Sequence, residues 1–392
     1  MTLKNKSAIV GIGQTQFSKG LGRTELSIAI EASKKAITDA GMTSKDIDGI
    51  VRFDIDNVME QELAYALAIP ELRFFATTPY GGGAGANSIQ LAAMAIATGQ
   101  ANNVICFRAR NRGKQSTGAA GGAHSGGRPW EKQGMAVFDA AQYHVPFGLV
   151  SPVQQVGVLT RRHMHEFGTK AEHLGAIAVT LRDNATRNPN AVMRQPISIE
   201  DYLASRFIAE PMRLFDCCLE TDGAAAVIVT SAANARNAKH PPAYILAAAQ
   251  GIAHMTTGMT NYYKDNFFNT DSGVCARNLY ERAGITSDDV DVAQLYDAFS
   301  TTVLLLLEDY FCGRGNGGPF AASDAIRQNG KIPINTSGSG LSEVYLHGFN
   351  LINEAVRQIR GTSTSQVKDA EISLYAAAPP VPTSAVLFSK EP

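Results

Sequence analysis

The feature that most restricts the fold of this chain is an internal repeat. Residues 36–54 read AITDAGMTSKDIDGIVRFD, and residues 279–297 read LYERAGITSDDVDVAQLYD. When Gly41 is set on Gly284, 243 positions further along, an alanine, the glycine, a threonine, a serine and two aspartates recur. In each copy an apolar-periodic helix ends at the glycine, which readily adopts the left-handed conformation that closes helices. A Thr-Ser-x-Asp turn and an apolar strand follow, so one α/β unit occurs twice.

The elements around each copy extend the duplication. Each helix is preceded by a strand of small residues and followed by a second long helix and another strand. In the first copy these three segments are 8–13, 87–99 and 103–109, and in the second copy they are 244–250, 349–361 and 371–377. The order strand, helix, strand, helix, strand, found twice, predicts two similar α/β halves. We place the first half at residues 1–240 and the second at residues 241–392.

The halves differ because the first carries an insertion at residues 110–216. It opens with a glycine-rich stretch, 113–127, and continues through a helical pattern around 153–167. The first half then closes with a β-rich run at 224–230. Long insertions in compact α/β folds usually form lids or substrate walls, so we expect a functional role for this one.

Composition and charge exclude several classes of function. Of the 392 residues, 45% are hydrophobic and 18% are charged, which is typical of a core-forming chain with extra buried area, as in an oligomer. The formal net charge of -1 gives no electrostatic basis for binding nucleic acid or an anionic membrane. No stretch approaches the roughly 20 apolar residues of a transmembrane helix, and the N-terminus has no signal pattern. We therefore expect a cytoplasmic protein.

The five cysteines give no metal site. None has the CxxC spacing of a metal ligand pair, and an odd number without a disulfide framework is typical of a reducing compartment. We therefore predict no metal and no cofactor in this chain.

Three segments carry a family resemblance. Residues 222–226 read DGAAA, residues 335–343 read NTSGSGLSE, and residues 296–299 read YDAF. They resemble the DGAAA, NxSGG…SEGHPxG and NEAF segments of the thiolase superfamily. With the repeat, the resemblance covers nearly the whole chain. It implies the α/β thiolase fold, a five-layered α-β-α-β-α arrangement of two duplicated α/β halves with a loop insertion in the first.

The groups that thiolases use for catalysis are missing. Thiolases take up the acyl group on a cysteine, activate it with the histidine of GHP, and move protons with a second cysteine. The nucleophile position falls at or next to Gly82, within the PYGGG of residues 79–83. Tyr345 stands at the histidine position, and the second cysteine falls in the AAA of 376–378. Glycine cannot supply a nucleophile, so no covalent acyl-enzyme is expected at this position.

Two tyrosines occupy the polar positions that remain. Thiolases hold the thioester oxygen with an asparagine and a histidine, and the resemblance places Tyr296 and Tyr345 there. It implies that the two phenols stabilise an enolate oxygen or move a proton, with no assignment of one role to each. His347 is a candidate partner behind them.

Five further positions are candidates for substrate contact. The glycines Gly81, Gly82 and Gly83 allow a substrate or backbone to come close where the cysteine turn stands in thiolases. Ser337 and Gly338 belong to the segment that resembles NxSGG, and the resemblance implies substrate binding there. Arg108, Arg110, Arg112 and Lys114 are candidates for binding CoA phosphates, although a solvated loop explains them equally well.

An enolate site without a nucleophile fits an aldolase. A retro-aldol cleavage of a β-hydroxyacyl thioester needs a base for the hydroxyl and an oxyanion site, and no acyl group has to be carried. The chain resembles the cysteine-less, lipid-transfer-type thiolases of bacterial steroid degradation. That resemblance implies cleavage of a 17-hydroxy steroid side-chain CoA thioester to a 17-keto steroid and propionyl-CoA. It also implies a homodimer that forms a heterotetramer with a small zinc-ribbon/OB-fold partner.

Two other functions stay open on the sequence. One is a non-catalytic acyl-CoA or lipid-binding protein, although retained polar groups at both oxyanion positions argue against decay of the site. The other is a Claisen-type enzyme with an unexpected nucleophile. Cys217 and Cys218 are the nearest candidates for that role, but they lie far along the chain from the glycine turn.

Overall fold

The computed structural model of the chain describes residues 3–112, 145–254, 259–260, 270–379 and 381–392. Within these residues, nine strands form one mixed sheet in the order β3-β2-β4-β7-β1-β8-β11-β10-β9, and β5 and β6 form a separate hairpin. The strands are β1 (Ser7–Gln14), β2 (Gly49–Phe53), β3 (Phe74–Thr78), β4 (Asn103–Asn111), β5 (Phe207–Ala209), β6 (Met212–Arg213), β7 (Asp222–Ser231), β8 (Ala243–Gly251), β9 (Val292–Leu295), β10 (Ile372–Ala376) and β11 (Thr383–Ser389).

The helices follow the order predicted for two α/β units with an insertion. A single π-helical turn, Glu308–Cys312, continues the ninth helix. The α-helices are α1 (Glu25–Asp39), α2 (Glu60–Leu67), α3 (Gly85–Ala97), α4 (Pro152–Phe167), α5 (Ala171–Arg187), α6 (Ile199–Ala204), α7 (Ala232–Ala235), α8 (Asp271–Ala283), α9 (Ser300–Leu307), α10 (Gly317–Ala322), α11 (Ser339–Ser342) and α12 (Phe349–Arg360).

The sheet consists of two halves with the same topology. In the first half β2 and β4 are parallel, β4 and β7 antiparallel, and β7 and β1 antiparallel. The strands β9, β10, β11 and β8 repeat this pattern in the second half. A short antiparallel contact between β1 and β8 joins the halves. The predicted duplication is confirmed, while the division between residues 240 and 241 stays a prediction.

The helices form three layers around the two sheet halves. Helices α1 and α2 cover the outer face of the first half, and α8 and α9 cover that of the second. Helices α3 and α12 lie between the halves in one apolar core that takes side chains from both. The five-layered arrangement implied by the thiolase resemblance is therefore present, and its middle layer brings the N-termini of two long helices together.

The repeated residues have the same structural task in both copies. Gly41 and Gly284 both have a φ of 72° and end their helices, as the sequence predicts. The Asp48 carboxylate then accepts hydrogen bonds from the backbone N–H groups of Asn102 and Asn103, at the start of β4. Asp291 does the same at the start of β10, 243 residues later. The aspartates recur because each one fixes the next strand to the turn.

The described part of the insertion packs against the second half. Helix α4 is tied to α9 by a hydrogen bond of 2.7 Å between the hydroxyls of Thr160 and Thr301. The buried His163 imidazole lies 3.1 Å from the Glu308 carboxylate. The glycine-rich stretch 113–127 lies outside the described residues. Among the residues that the structure describes, no helix is long and apolar enough to cross a bilayer.

Candidate active site

The candidate site forms where loops from both halves meet in the middle layer. In the first half β3 is followed by a 3-10 turn, Gly81–Gly83, that leads into α3. In the second half Tyr296 comes directly after β9, and Tyr345 lies between α11 and α12. The carboxyl ends of parallel strands lie at one edge of a sheet, which is where α/β proteins usually place their ligands.

The structure brings Tyr296 and Tyr345 together. Their hydroxyl oxygens are 2.6 Å apart, and their rings meet edge to face with centroids separated by 6.3 Å. The backbone N–H of Tyr296 donates to Ala376 O at 2.9 Å, and that of Tyr345 donates to Thr221 Oγ1 at 3.0 Å. A backbone hydrogen bond thus fixes the position of each tyrosine, and the predicted convergence of the two side chains is present.

Burial makes both phenols weak acids. It raises the pKa of Tyr296 well above its usual value, and the adjacent Tyr345 raises it further. Burial and the nearby Cys218 also raise the pKa of Tyr345, whereas the hydrogen bond from Tyr296 and the positive charge of Arg112 lower it. Either hydroxyl can donate across their contact, but the contact raises the pKa of Tyr296 and lowers that of Tyr345, so negative charge is better stabilised on the Tyr345 oxygen.

Gly82 faces this pair and leaves no room for a side chain. A Cβ placed on Gly82 would lie 2.5 Å from Tyr296 Cζ and still nearer to its hydroxyl oxygen. The phenol therefore occupies the space into which a nucleophilic side chain would project. At Gly83 a Cβ would run into the Pro382 carbonyl oxygen, and Gly81 has a φ of 50°. All three glycines are required by close approach or by backbone conformation.

His347 lies beside the tyrosine pair, as predicted, and the buried Arg108–Asp56 ion pair fixes the tautomer of its imidazole. The rings of Tyr345 and His347 have centroids 4.8 Å apart. Arg108 Nη2 lies 3.3 Å from His347 Nδ1, and the Arg108 guanidinium also pairs with Asp56. An arginine can only donate, so Nδ1 must accept and the imidazole proton must reside on Nε2.

The surroundings keep this imidazole neutral. Burial and the positive charges of Arg108 and Arg112 hold the pKa of His347 well below its usual range. Burial raises the pKa of Asp56 to about 6, although the charge of Arg108 acts in the opposite direction. His347 is therefore a neutral imidazole, and none of the described residues accepts a hydrogen bond from its Nε2–H.

Ser337 and Gly338 lie behind the site. The hydroxyl of Ser337 donates to the buried Glu343 carboxylate at 2.7 Å, and Gly338 packs so closely on Ala185 that no side chain would fit. Both residues are buried in the segment that leads to Tyr345. In this geometry they hold that segment in place. The structure does not bring them to the tyrosine pair, and their role in substrate binding stays a prediction.

Two supporting carboxylates were not predicted from the sequence. Asp297 accepts hydrogen bonds from the Ser339 hydroxyl and from the backbone N–H groups of Gly340 and Leu341, both at 2.9 Å. It thereby anchors α11 to the segment that follows β9, next to Tyr296. The second is Asp56, the partner of Arg108. Arg108 is the sequence feature that could have predicted such a carboxylate. A charged residue inside the apolar run of β4 requires a buried counter-ion.

The cysteines do not replace the missing nucleophile. All five are free thiols, and none of the described residues forms a group suited to a metal ion. Cys218 lies close enough to influence both tyrosines, despite its distance along the chain. However, burial raises the pKa of Cys218 well above its usual value and that of Cys217 to about 12. A reactive cysteine needs the opposite shift.

Comparisons with known proteins agree with this geometry. Residues 253–386 match the family model described as "Thiolase C-terminal domain-like". The "Steroid side-chain-cleaving aldolase" of Thermomonospora curvata is 43% identical over 99% of both chains. The "17-hydroxy-3-oxo-4-pregnene-20-carboxyl-CoA lyase" of Mycobacterium tuberculosis is 43% identical over 98% of this chain and 100% of its own length.

Solved structures extend the comparison. The structure titled "Ltp2-ChsH2(DUF35) aldolase" superposes with a TM-score of 0.91, at 42% identity and 99% coverage of both chains. The human mitochondrial 3-ketoacyl-CoA thiolase has a TM-score of 0.71 at 13% identity, covers 99% of this chain and 100% of its own, and shows the shared fold alone. The chain belongs to the thiolase superfamily, within the family of its steroid side-chain-cleaving aldolases.

Proposed function

We propose that the chain is a carbon–carbon lyase that cleaves a β-hydroxyacyl-CoA thioester by a retro-aldol reaction. Its substrate is a 17-hydroxy steroid side-chain CoA thioester, and its products are a 17-keto steroid and propionyl-CoA. The observation that carries the proposal is the contact between the two phenols, 2.6 Å apart, at the place where Gly82 leaves no nucleophile. The names of the two relatives at 43% identity support the substrate class.

We assign a different role to each phenol. Negative charge is better stabilised on the Tyr345 oxygen than on that of Tyr296. The Tyr345 oxygen therefore acts as the base and takes the proton from the substrate hydroxyl. The electron pair of that O–H bond forms the ketone, the C–C bond breaks, and its electrons pass to the thioester enolate. The enolate carbon then takes a proton from the Tyr345 hydroxyl, which restores the starting state. Tyr296 donates a hydrogen bond to Tyr345 throughout.

His347 is the proposed donor to the thioester oxygen. Its Nδ1 is held by Arg108, so its Nε2–H is free to donate to the oxygen on which the enolate charge develops. A neutral donor suits this task because it can keep its proton. The chain itself needs no cofactor for these steps, and CoA enters as part of the substrate.

A cleavage assay tests the function directly. The purified protein is mixed with a 17-hydroxy steroid side-chain CoA thioester, with and without a DUF35-type partner, and the products are followed by mass spectrometry. We expect equal amounts of the ketone and propionyl-CoA without added free CoA. A covalent acyl adduct on the protein would instead support a Claisen-type enzyme. Tight binding of the thioester without any cleavage would support a binding protein.

The open edge of the sheet supports a homodimer. Strand β3 ends the sheet, and no described strand pairs with its outer edge. Large apolar side chains are exposed around it, with Phe75 on β3 68% exposed and Tyr65 on α2 90% exposed. Unprotected apolar edges are rare in monomers because they promote association. We place the dimer contact at this edge.

A single charge at the edge should separate the subunits. We expect Phe75→Arg to convert a dimer into a monomer, because an unpaired guanidinium would be buried in the contact. Light scattering during size-exclusion chromatography measures the mass directly. Val158→Arg, on the exposed face of α4, is the matched control and should leave the mass unchanged. A Phe75→Arg protein that keeps the dimer mass would place the contact elsewhere.

A small partner protein completes the proposed assembly. The related solved structure is named "Ltp2-ChsH2(DUF35) aldolase", and that name supports a DUF35-type partner here. We place two partners on one homodimer, in a heterotetramer located in the cytoplasm. Native mass spectrometry of the two chains expressed together measures this stoichiometry, and a complex with a single partner chain would contradict it.

A further inference from the structure

A row of arginines runs along β4 toward the tyrosine pair. Arg108, Arg110 and Arg112 alternate along the chain and form what we call the arginine row. Val104 and Cys106, at the preceding alternate positions, belong to the core around α3 and α12. Side chains two residues apart share one face of a strand, so Arg108 and Arg110 also face this middle layer.

The members of the arginine row differ in their partners. Arg108 is paired with Asp56 and donates to His347. Arg112 is partly exposed, and its Nη1 lies 4.0 Å from the Glu220 carboxylate. Arg110 is only 5% exposed, and none of the described residues accepts a hydrogen bond from its buried Nε and Nη2 atoms. An arginine stays charged in proteins, and a buried charge without a partner lowers the stability of the fold.

Arg110 lies next to the segment that carries Tyr345. It pairs with Gly223 across the β4–β7 ladder, and paired residues of an antiparallel ladder face the same side. On that side a Cβ at Gly223 would meet Phe17 Cδ1 at 2.6 Å and Val344 Cγ2 at 3.5 Å. Val344 directly precedes Tyr345. The strand register thus sets Arg110 beside Gly223, the residue on which Phe17 and Val344 pack.

We propose that the unpaired positive charge of Arg110 stabilises the negative charge that lies on the Tyr345 oxygen before cleavage and on the thioester enolate after it. The inference rests on the cleavage reaction proposed above and adds a residue that acts through Tyr345 and the bound anion. Each step of that reaction moves one negative charge within the site, and a fixed positive charge inside a dry site stabilises it at every step. The missing counter-ion is thus the reacting anion itself.

Other charged and titratable groups also face this oxygen. Arg112 lowers the pKa of Tyr345, as the hydrogen bond from Tyr296 does, while Cys218 and Glu220 raise it. The His347 imidazole stays neutral beside the ring. Asp56 neutralises Arg108, so Arg110 contributes a charge that no described acid cancels.

The test uses variants whose effects on stability and on activity point in opposite directions. In Arg110→Met the buried, unpaired charge is gone, so Tm should rise by about 1–3 °C. The same change should lower kcat/KM about tenfold and displace the rising limb of its pH profile by about one unit to higher pH. Arg110→Lys keeps the charge and should recover most of the activity. Arg236→Met removes an exposed arginine and should change neither quantity.

Binding of an enolate mimic separates this inference from the cleavage reaction. We expect Arg110→Met to lower the affinity for a CoA thioether that carries an anionic nitronate by about tenfold. The affinity for the neutral ethyl thioether of CoA should stay unchanged. This selectivity in a protein that cleaves nothing would leave the role of Arg110 intact and overturn the proposed function. Cleavage and nitronate affinity that survive Arg110→Met would overturn the inference alone. A lower Tm with an unchanged pH profile would make Arg110 structural, and wild-type protein that binds neither analogue would overturn both proposals.

Discussion

Replacing Tyr345 with phenylalanine is expected to lower kcat/KM by about three orders of magnitude, the range typical of a lost general base. The phenyl ring keeps the contact with His347, so the fold and the affinity for the CoA thioester should change little. Because burial raises the pKa of Tyr345, only a small fraction is ionised at neutral pH. In the wild type, log kcat/KM should therefore rise with a slope of about one over pH 7–9.

The pH profile separates a chemical role of Tyr345 from a structural one. In Tyr345→Phe this slope should disappear. Tyr296→Phe removes the hydrogen bond to the Tyr345 oxygen and should cost about a hundredfold, with the slope retained. Steady-state kinetics over this pH range, with circular dichroism as the check on folding, measures both. Full activity in both phenylalanine variants would show that the tyrosine mechanism is wrong.

Adding a single methyl group at Gly82 should abolish most of the activity. The new Cβ would lie 2.5 Å from Tyr296 Cζ, so the phenol has to move away from Tyr345. We expect kcat to fall at least about a hundredfold, because displacement of about 1 Å at a reacting group has an effect of this size. Stability should fall by about 1–3 kcal/mol from overpacking.

A matched glycine shows whether the effect belongs to the site. Gly157 lies in α4, where a Cβ would meet its nearest neighbour at an ordinary 3.4 Å, so Gly157→Ala should leave activity unchanged. Gly82→Cys restores the thiolase residue type but also displaces Tyr296, and Tyr345 stands where thiolases have their activating histidine. Intact-mass measurement after mixing with acyl-CoA should show no adduct. Wild-type kinetics in Gly82→Ala would mean that Tyr296 has no role.

The architecture was readable from the sequence because the signals for it are local. The glycine at a helix end, the Thr-Ser-x-Asp turn and the apolar strand after it are set by neighbouring residues, and all of them recur in both copies. Duplication then fixed the topology, since two identical units pack by the same rules. The sequence did not reveal why the aspartates recur, because Asp48 and Asp291 bind strands that begin more than 50 residues away.

The residue types at the catalytic positions were also determined by the sequence. The glycine, the two tyrosines and His347 follow from the motifs, and the absence of a nucleophile follows from them as well. The substrate contacts proposed for Ser337 and Gly338 depended on motif likeness, which does not report where a side chain points. In the structure Ser337 donates to Glu343 and Gly338 packs on Ala185, and their contact with the substrate stays a prediction.

What only the tertiary structure decided is the state of each group. The contact between the Tyr296 and Tyr345 hydroxyls, the Nε2–H tautomer of His347 and the lack of an acceptor for Arg110 among the described residues depend on packing between residues far apart in sequence. Arg108 and His347, for example, are 239 positions apart. Hydrogen bonding and burial act over a few ångströms in space, so no local pattern encodes them. The sequence determined which residues are present, and their packing in the middle layer determined which of the two phenols is the stronger acid.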